Sequence, residues 1–395
     1  MADAPERSRD EVAAYLALAQ IPGIGAARLR ALIAAFGSAG GAIQAPHGAL
    51  ASLPGFSKAA ATAIRGAPVR RGAEVLDQLA KLGAVVLLPE DAAFPALLNE
   101  VPEPPALLFA WGDVALLARP AVAIVGSRNH STYGAEAARL LAAGVASAAV
   151  VVSGMARGID AIAHAAALDA GGASVGVLGN GFGVVYPAAN RALYDRMVAR
   201  GCLITELPPG ERPHAHTFPR RNRLVSGLAA ATVIVEAAAG SGALITADAA
   251  LDQGRGVLAV PGPITSPTSL GCNKLIQQGA KPALCAGDIL EELGLGSGGL
   301  TPGPCPGAPC ERTPPTDLSP LQKTLWDALA TEPRHVDGLT GVANAPTADV
   351  LTALTELELR GVVRQEAGMR FSLNAEFGMR NAESQGEVAP RATLP

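Results

Sequence analysis

Short apolar runs between residues 121 and 261 each close on a small-residue turn, and most lead into a segment of helical length. AVAIVGSR (121–128) is followed by TYGAEAARLLAAGVA, and AVVVSGMARG by IDAIAHAAALDAGG. ASVGVLGNG, CLITELPPG, TVIVEAAAGSGALITADAALDQGR and GVLAVPG continue the alternation. Runs with no polar alternation fit strands buried on both faces, and a helix after each one imposes a crossover. Together these predict an α/β chain with a parallel, doubly wound, extended Rossmann-like sheet.

In such sheets ligands sit at the carboxyl ends of the strands. That rim carries Gly126-Ser127-Arg128, Ser153-Gly154-Met155-Ala156-Arg157-Gly158, the turn from Gly179 to Gly183, and Gly240-Ser241-Gly242. Small residues at helix N-termini expose backbone N–H groups, so these turns are expected to form an anion cradle. The first turn is not G-x-G-x-x-G, no acidic residue ends the second strand, and no Walker A sequence occurs, which argues against a dinucleotide or P-loop nucleotide. Arginine is abundant instead. Arg128 and Arg157 leave two turns, and residues 212–223 add Arg212, Arg220, Arg221 and Arg223 without an acid. Clustered guanidiniums beside N–H groups suit several successive phosphates better than one buried cofactor.

Composition narrows the class further. Hydrophobic residues make up 49% of the 395, enough for a large core, whereas aromatics at 4% argue against a binder built mainly on base stacking. The N-terminus mixes charges before any apolar run, and no apolar stretch reaches a membrane span, so a cytoplasmic protein is expected. Five scattered cysteines suggest a reduced chain. Cys305 and Cys310 lack two further ligands nearby, and neither a metal nor a cofactor is expected. The formal net charge of -4 hides a basic N-terminal module: no acid occurs from Val12 to Gly72, against Arg28, Arg30, Lys58, Arg65, Arg70 and Arg71.

Several long motifs then fall in order: VAIVGSR, SGMARGIDAIAH, GFGVVYPAAN, FPRRNRLVSGLAAATVIVEAAAGSGALITADAAL and LAVPGPITSPTSLGCNKLIQQGA. Over about residues 85–284 the chain closely resembles the DprA/Smf family, the DNA-processing proteins of natural transformation. The resemblance implies an extended Rossmann core, often with a sterile-alpha-motif-like domain before it and a winged-helix domain after it. It implies a dimeric, non-enzymatic competence protein that binds and protects single-stranded DNA without strong sequence preference. It also implies loading of RecA for DNA recombination onto strands coated with single-strand-binding protein. Carried over, the DNA contacts would be Gly126, Ser127, Arg128, Ser153, Gly154, Arg157, Phe218, Arg220, Arg221, Asn222, Gly240, Ser241 and Gly242. Ala188 stands after Tyr186-Pro187 where many members carry lysine, so that phosphate contact is expected to be missing or to pass to Arg191 or Arg220.

Around that core the expected divisions are 1–68 (helix-hairpin-helix/SAM-like), 69–293 (Rossmann), a Pro/Gly-rich linker at 294–317, a winged helix at 318–374 and a disordered tail at 375–395. In the first, Gly23 and Gly25 form a hairpin that with Arg28 would hold a phosphate oxygen, a secondary contact. A similar segment thirty residues on has Ser57 in place of the second glycine. In the winged helix seven acids oppose five bases between Leu318 and Asn374, which suits protein docking or dimer support better than a DNA groove.

Competing roles stand beside these. Asp160 and His164, at i and i+4, could be an acid/base pair, but a structural brace of the preceding turn is the expected role. Glu236 is expected to orient arginines, with Arg128 a possible partner. Tyr186 and Phe218 suit stacking on a base or rim packing equally. A rival class, the lysine-decarboxylase-like nucleoside-monophosphate phosphoribohydrolases, needs a glutamate after its late glycine turn, and Leu244, Ile245 and Thr246 follow here.

Overall fold

A computed structural model of the chain describes residues 7–296, 315, 317–329, 334–366 and 368–373. The core sheet uses β1 (Val85–Leu87), β2 (Leu108–Gly112), β3 (Ala121–Val125), β4 (Val150–Ser153), β5 (Ser174–Val177), β6 (Cys202–Thr205), β7 (Ala231–Ile234), β8 (Gly256–Ala259) and β9 (Lys281–Pro282). Their spatial order is β1-β2-β6-β5-β4-β3-β7-β8-β9. From β6 to β9 every pairing is parallel, while β1–β2 and β2–β6 are antiparallel. The doubly wound sheet expected from the apolar runs is therefore present, extended at one edge by an antiparallel pair.

Every residue of β3 to β7 is buried. Alternate side chains reach opposite layers, as strand geometry requires. Val122 and Ile124 pack with the helices Thr132–Val145 and Ile159–Asp169. Ala123 and Val125 pack with Thr217–Gly227 and Gly242–Asp252. The chain winds from β3 out to β6 and then returns to place β7 on the other side of β3, so the topological switch lies between β3 and β7.

The N-terminal helices Arg9–Ala19, Ala26–Phe36, Ala39–Gln44, His47–Ala51 and Lys58–Arg65 join the helix Val69–Leu82. A Cβ on Gly72 would come within 2.1 Å of the Ala13 carbonyl oxygen, so the first and last of these helices touch backbone to backbone. Leu16, Leu29, Leu50 and Leu79 share one apolar cluster with Phe109 of β2 and Leu203 of β6. The Tyr15 hydroxyl donates to the Ala106 carbonyl at 2.8 Å, and burial raises its pKa. The boundary expected at residue 68 falls between the helices Lys58–Arg65 and Val69–Leu82, and the second of these packs on the helix Arg9–Ala19, a contact across more than fifty residues that local sequence cannot register.

The C-terminal unit folds around its own core of Leu325, Trp326, Leu339, Leu354 and Phe371. Helices Pro320–Leu329, Val336–Ala343 and Thr347–Leu359 carry a three-stranded antiparallel sheet of β10 (Arg334–His335), β11 (Val363–Glu366) and β12 (Arg370–Leu373), ordered β10-β12-β11. The winged helix is present, and its wing gains a two-residue third strand too short for periodicity to signal. The expected tail, most of the linker, Cys305 and Cys310 lie outside the described residues. Cys202 and Cys272 are free and buried. No helix among the described residues is long and apolar enough to cross a membrane.

Candidate nucleic-acid interface

The carboxyl ends of β3, β4 and β5 surround a cavity of about 350 Å³ lined by Arg128, Gly154 to Arg157, Leu178 to Asn180, Tyr186, Pro187, Tyr194 and Phe218. Its mouth carries charge and aromatic surface together. The exposed Arg128 guanidinium lies 5.5 Å from the centre of the Phe218 ring, and the Tyr186 ring is 5.5 Å from Phe218 at 37°. Arg157, also exposed, donates to Asn129 Oδ1 at 3.0 Å and ties the turn after β4 to the turn after β3. Guanidiniums at an aromatic face can meet phosphate and base at once.

Beneath this mouth lies a buried polar network. Asp160 Oδ2 accepts the N–H groups of Gly154 at 3.1 Å and Ala156 at 3.4 Å, and His164 Nε2 accepts that of Met155 at 3.4 Å. His164 Nδ1 contacts Ser174 Oγ at 2.7 Å. Arg221, 6% exposed, donates to the carbonyls of Gly154 and Val177, and Asn190 Nδ2 donates to that of Met155 at 2.9 Å. These braces hold Met155 in left-handed backbone at φ 56°, a conformation that costs free energy for a residue with a side chain. Burial pushes the Asp160 carboxyl up, with Arg221 pulling it back, and drives His164 down to about 3, so its imidazole is neutral. Asp160 and His164 both turn to the preceding turn, the brace expected of them.

This network corrects the picture of backbone cradles. The N–H groups of the turn after β4 are taken by Asp160 and His164, leaving none of those three for phosphate. Ser153 is wholly buried and donates to the Ile124 carbonyl at 2.7 Å. A Cβ on Gly154 would lie 2.5 Å from the Arg221 guanidinium, and one on Gly126 2.8 Å from the Ile159 side chain, so these glycines admit protein atoms. Ser153, Gly154 and Arg221 shape the floor of the cavity, with Arg221 a strut between strand ends. Turn composition alone could not distinguish N–H groups open to a ligand from N–H groups already satisfied.

The remaining residues divide by place. Ser127 donates its N–H to the Glu236 carbonyl at 2.7 Å, and its hydroxyl accepts from Asn129 at 3.1 Å. Gly240 and Gly242 face open space, Ser241 caps the helix Gly242–Asp252, and Asn222 reaches the Gly242 carbonyl at 3.3 Å. None of these four lines the cavity. Arg191 and Arg220 do not line it either. Glu236 was expected to hold arginines. It is 3% exposed and accepts instead from the Ser131 N–H at 2.8 Å and from the Thr268 hydroxyl, closing the β3–β7 crevice. Asn180, Asn190 and Tyr194 were missed as supports. Tyr186-Pro187 and Asn190 stand together in GFGVVYPAAN, but no local pattern shows that Asn190 turns back to the turn after β4.

In the N-terminal module the two hairpins differ. Gly25 starts the helix Ala26–Phe36 with no side-chain cap, and Arg28 Nη1 donates to the Gly23 carbonyl at 2.8 Å while lying over Phe56. At the second hairpin the Ser57 hydroxyl accepts the Ala60 N–H at 3.1 Å, so the protein supplies its own cap where a phosphate would sit.

An open pocket of arginine and aromatic side chains on a doubly wound sheet, with a helical module earlier in the chain and a winged-helix unit later in it, defines a class of multi-domain α/β proteins. Residues 85–294 match the family model described as DNA recombination-mediator protein A, and residues 309–369 match the DprA winged helix domain. The Smf protein of Synechocystis is 32% identical over 92% of this chain and 99% of its own length. That of Escherichia coli is 40% identical over 71% of this chain and 76% of its own. The X-ray structure of DNA processing protein A from Streptococcus pneumoniae superposes with a TM-score of 0.59 at 36% identity, covering 63% of this chain and 87% of that one. The chain belongs to the DNA recombination-mediator protein A (DprA/Smf) family.

Proposed function

We propose that this protein binds single-stranded DNA across the cavity above β4 and β5 and, as a dimer in the cytoplasm, loads RecA onto incoming strands coated with single-strand-binding protein during natural transformation. The observation that carries the reading is the pairing of exposed Arg128 with half-buried Phe218 beside Tyr186 and Arg157. Because the turn N–H groups below are occupied, grip comes from guanidiniums on phosphates, with Phe218 and Tyr186 offering faces to a base. Gly240, Ser241, Gly242 and Asn222 extend the path along the rim, and Gly23, Gly25 and Arg28 add a secondary contact. No reaction on the DNA is needed: His164 and Asp160 are committed to the fold, and the phosphoribohydrolase alternative is not favoured by the family match.

Binding isotherms across a salt series with single strands, blunt duplex and mononucleotides test this. Single strands should bind best, with affinity falling steeply as salt rises, by a slope of about 0.7 per phosphate contacted. Duplex should bind less well, because a stiff backbone cannot follow the recessed rim. Duplex binding as tight as single strand, or release of free base from mononucleotides, would refute the reading. RecA filament growth on strands already coated with single-strand-binding protein should begin sooner with the protein than without it.

A further inference from the structure

The N-terminal module and the core enclose a second, larger groove of about 980 Å³. One wall is the first hairpin with Gly23, Gly25 and Arg28, together with Arg71 of the helix Val69–Leu82. The facing wall is the segment from Glu206 to Leu224. We propose that this groove is a binding site for the continuation of the same single strand, so that the core cavity and the N-terminal hairpin hold one uninterrupted DNA segment. The inference rests on the single-strand reading above and adds the route.

Three observations support the route. Leu178 and Gly179 line both the cavity and the groove, and Phe218 of the cavity adjoins Thr217 of the groove, so the two spaces share a wall. A Cβ on Gly179 would lie 2.9 Å from the Phe218 ring, so the bare backbone there lets the ring stand at the junction. Charge is the second. Arg71 and Arg220 face the groove from its two sides, are exposed, and have no carboxylate partner among the described residues. The glutamates there are partly spoken for: Glu206 holds Arg223 at 2.6 Å and Glu211 lies 3.5 Å from His214, leaving Glu103. Third, Arg221 lines the groove while its guanidinium donates to the Gly154 and Val177 carbonyls under the cavity, so one side chain is common to both spaces.

The route predicts a dependence on strand length, read with the full chain and with oligothymidylates of about 4 and about 16 nucleotides, the span of known single-strand site sizes. Arg71→Ala and, separately, Arg28→Ala should weaken the longer strand about tenfold and leave the shorter one unchanged. Each should also lower the salt slope by about 0.7, for the longer strand only. Arg71 lies on the helix Val69–Leu82, outside the Gly23 turn, and does not line the cavity, so Arg71→Ala keeps the test valid if Arg28→Ala disturbs that turn. Unchanged affinity of both variants for the longer strand overturns the route, as does an equal loss for both strands. Failure of the unaltered protein to bind either strand would instead defeat the single-strand reading on which the route stands.

Discussion

Between β3 and β7 the carboxyl edge of the sheet is closed by Glu236, whereas above β4 and β5 it stays open around Arg128, Arg157 and Phe218. The first crevice is the topological switch, where an open α/β sheet ordinarily receives its ligand. Here a buried carboxylate occupies it. A Cβ on Gly134 would come within 2.3 Å of Glu236 Oε2, so the helix Thr132–Val145 is packed down on that carboxylate. The second crevice also has its backbone N–H groups answered from within, by Asp160 and His164, but from below, so its mouth remains free. The contrast separates two uses of an acid at a helix start: plugging a site, and stiffening one. It also explains why the groups exposed at the open crevice are arginine side chains and not the N–H groups of the turn after β4.

The comparison breaks most decisively at Asp160. Asp160→Ala should strip two N–H groups of their shared acceptor and remove the charge facing buried Arg221, costing about 3–5 kcal/mol as an orphaned buried charge does. Chemical denaturation would measure it, and a loss below about 1 kcal/mol would mean that Asp160 is not the brace described. In the same network, burial holds His164 neutral with a pKa near 3, against 6.5 for an ordinary histidine. The unfolded chain therefore binds the extra proton between these values, and this contribution to stability declines as pH falls from 6.5 toward 3. His164→Gln should flatten that part of the stability–pH curve.

Arg128→Ala tests the open crevice, with an expected loss of about 1.5–3 kcal/mol in single-strand affinity, roughly ten- to a hundredfold, at unchanged stability. Unaltered affinity in a folded variant would remove Arg128 from the interface. Glu236→Gln is its counterpart in the closed crevice. It should cost about 1–3 kcal/mol of stability, because the amide cannot accept from both Ser131 and Thr268, while DNA affinity stays the same. A large affinity loss there would show that the plugged crevice also binds. The smallest effect belongs to the second hairpin. Ser57→Ala should lower stability by about 1 kcal/mol, the usual worth of an N-cap, with no change in DNA binding.

Much of this was legible in the amino-acid order. The runs at 121–125, 150–153 and 231–234 carry no polar alternation, so both faces had to be covered, and the helix after each forced parallel pairing. The Gly-Ser-Arg and Ser-Gly-Met-Ala-Arg-Gly turns marked the rim because glycine and arginine at strand ends have few other uses. The acid-free stretch from Val12 to Gly72 marked the basic module. Each of these signals is local, carried by residues close in the chain.

What only the tertiary structure decided was which of those groups are spent. Arg128 and Arg221 read alike in sequence, yet one stands over Phe218 in the open and the other is buried between the ends of β4 and β5. Gly25 and Ser57 occupy matching hairpin places, and only the first leaves its helix start open. Gly72 against Ala13 ties the helix Val69–Leu82 to the module before it, and the facing of Arg71 and Arg220 makes a groove from two modules. The reason is physical. Propensity and apolar periodicity act over a few residues and so are written in order along the chain. Whether a polar group is satisfied depends on what lies within about 3 Å of it, and that neighbour is set by packing between segments far apart in sequence.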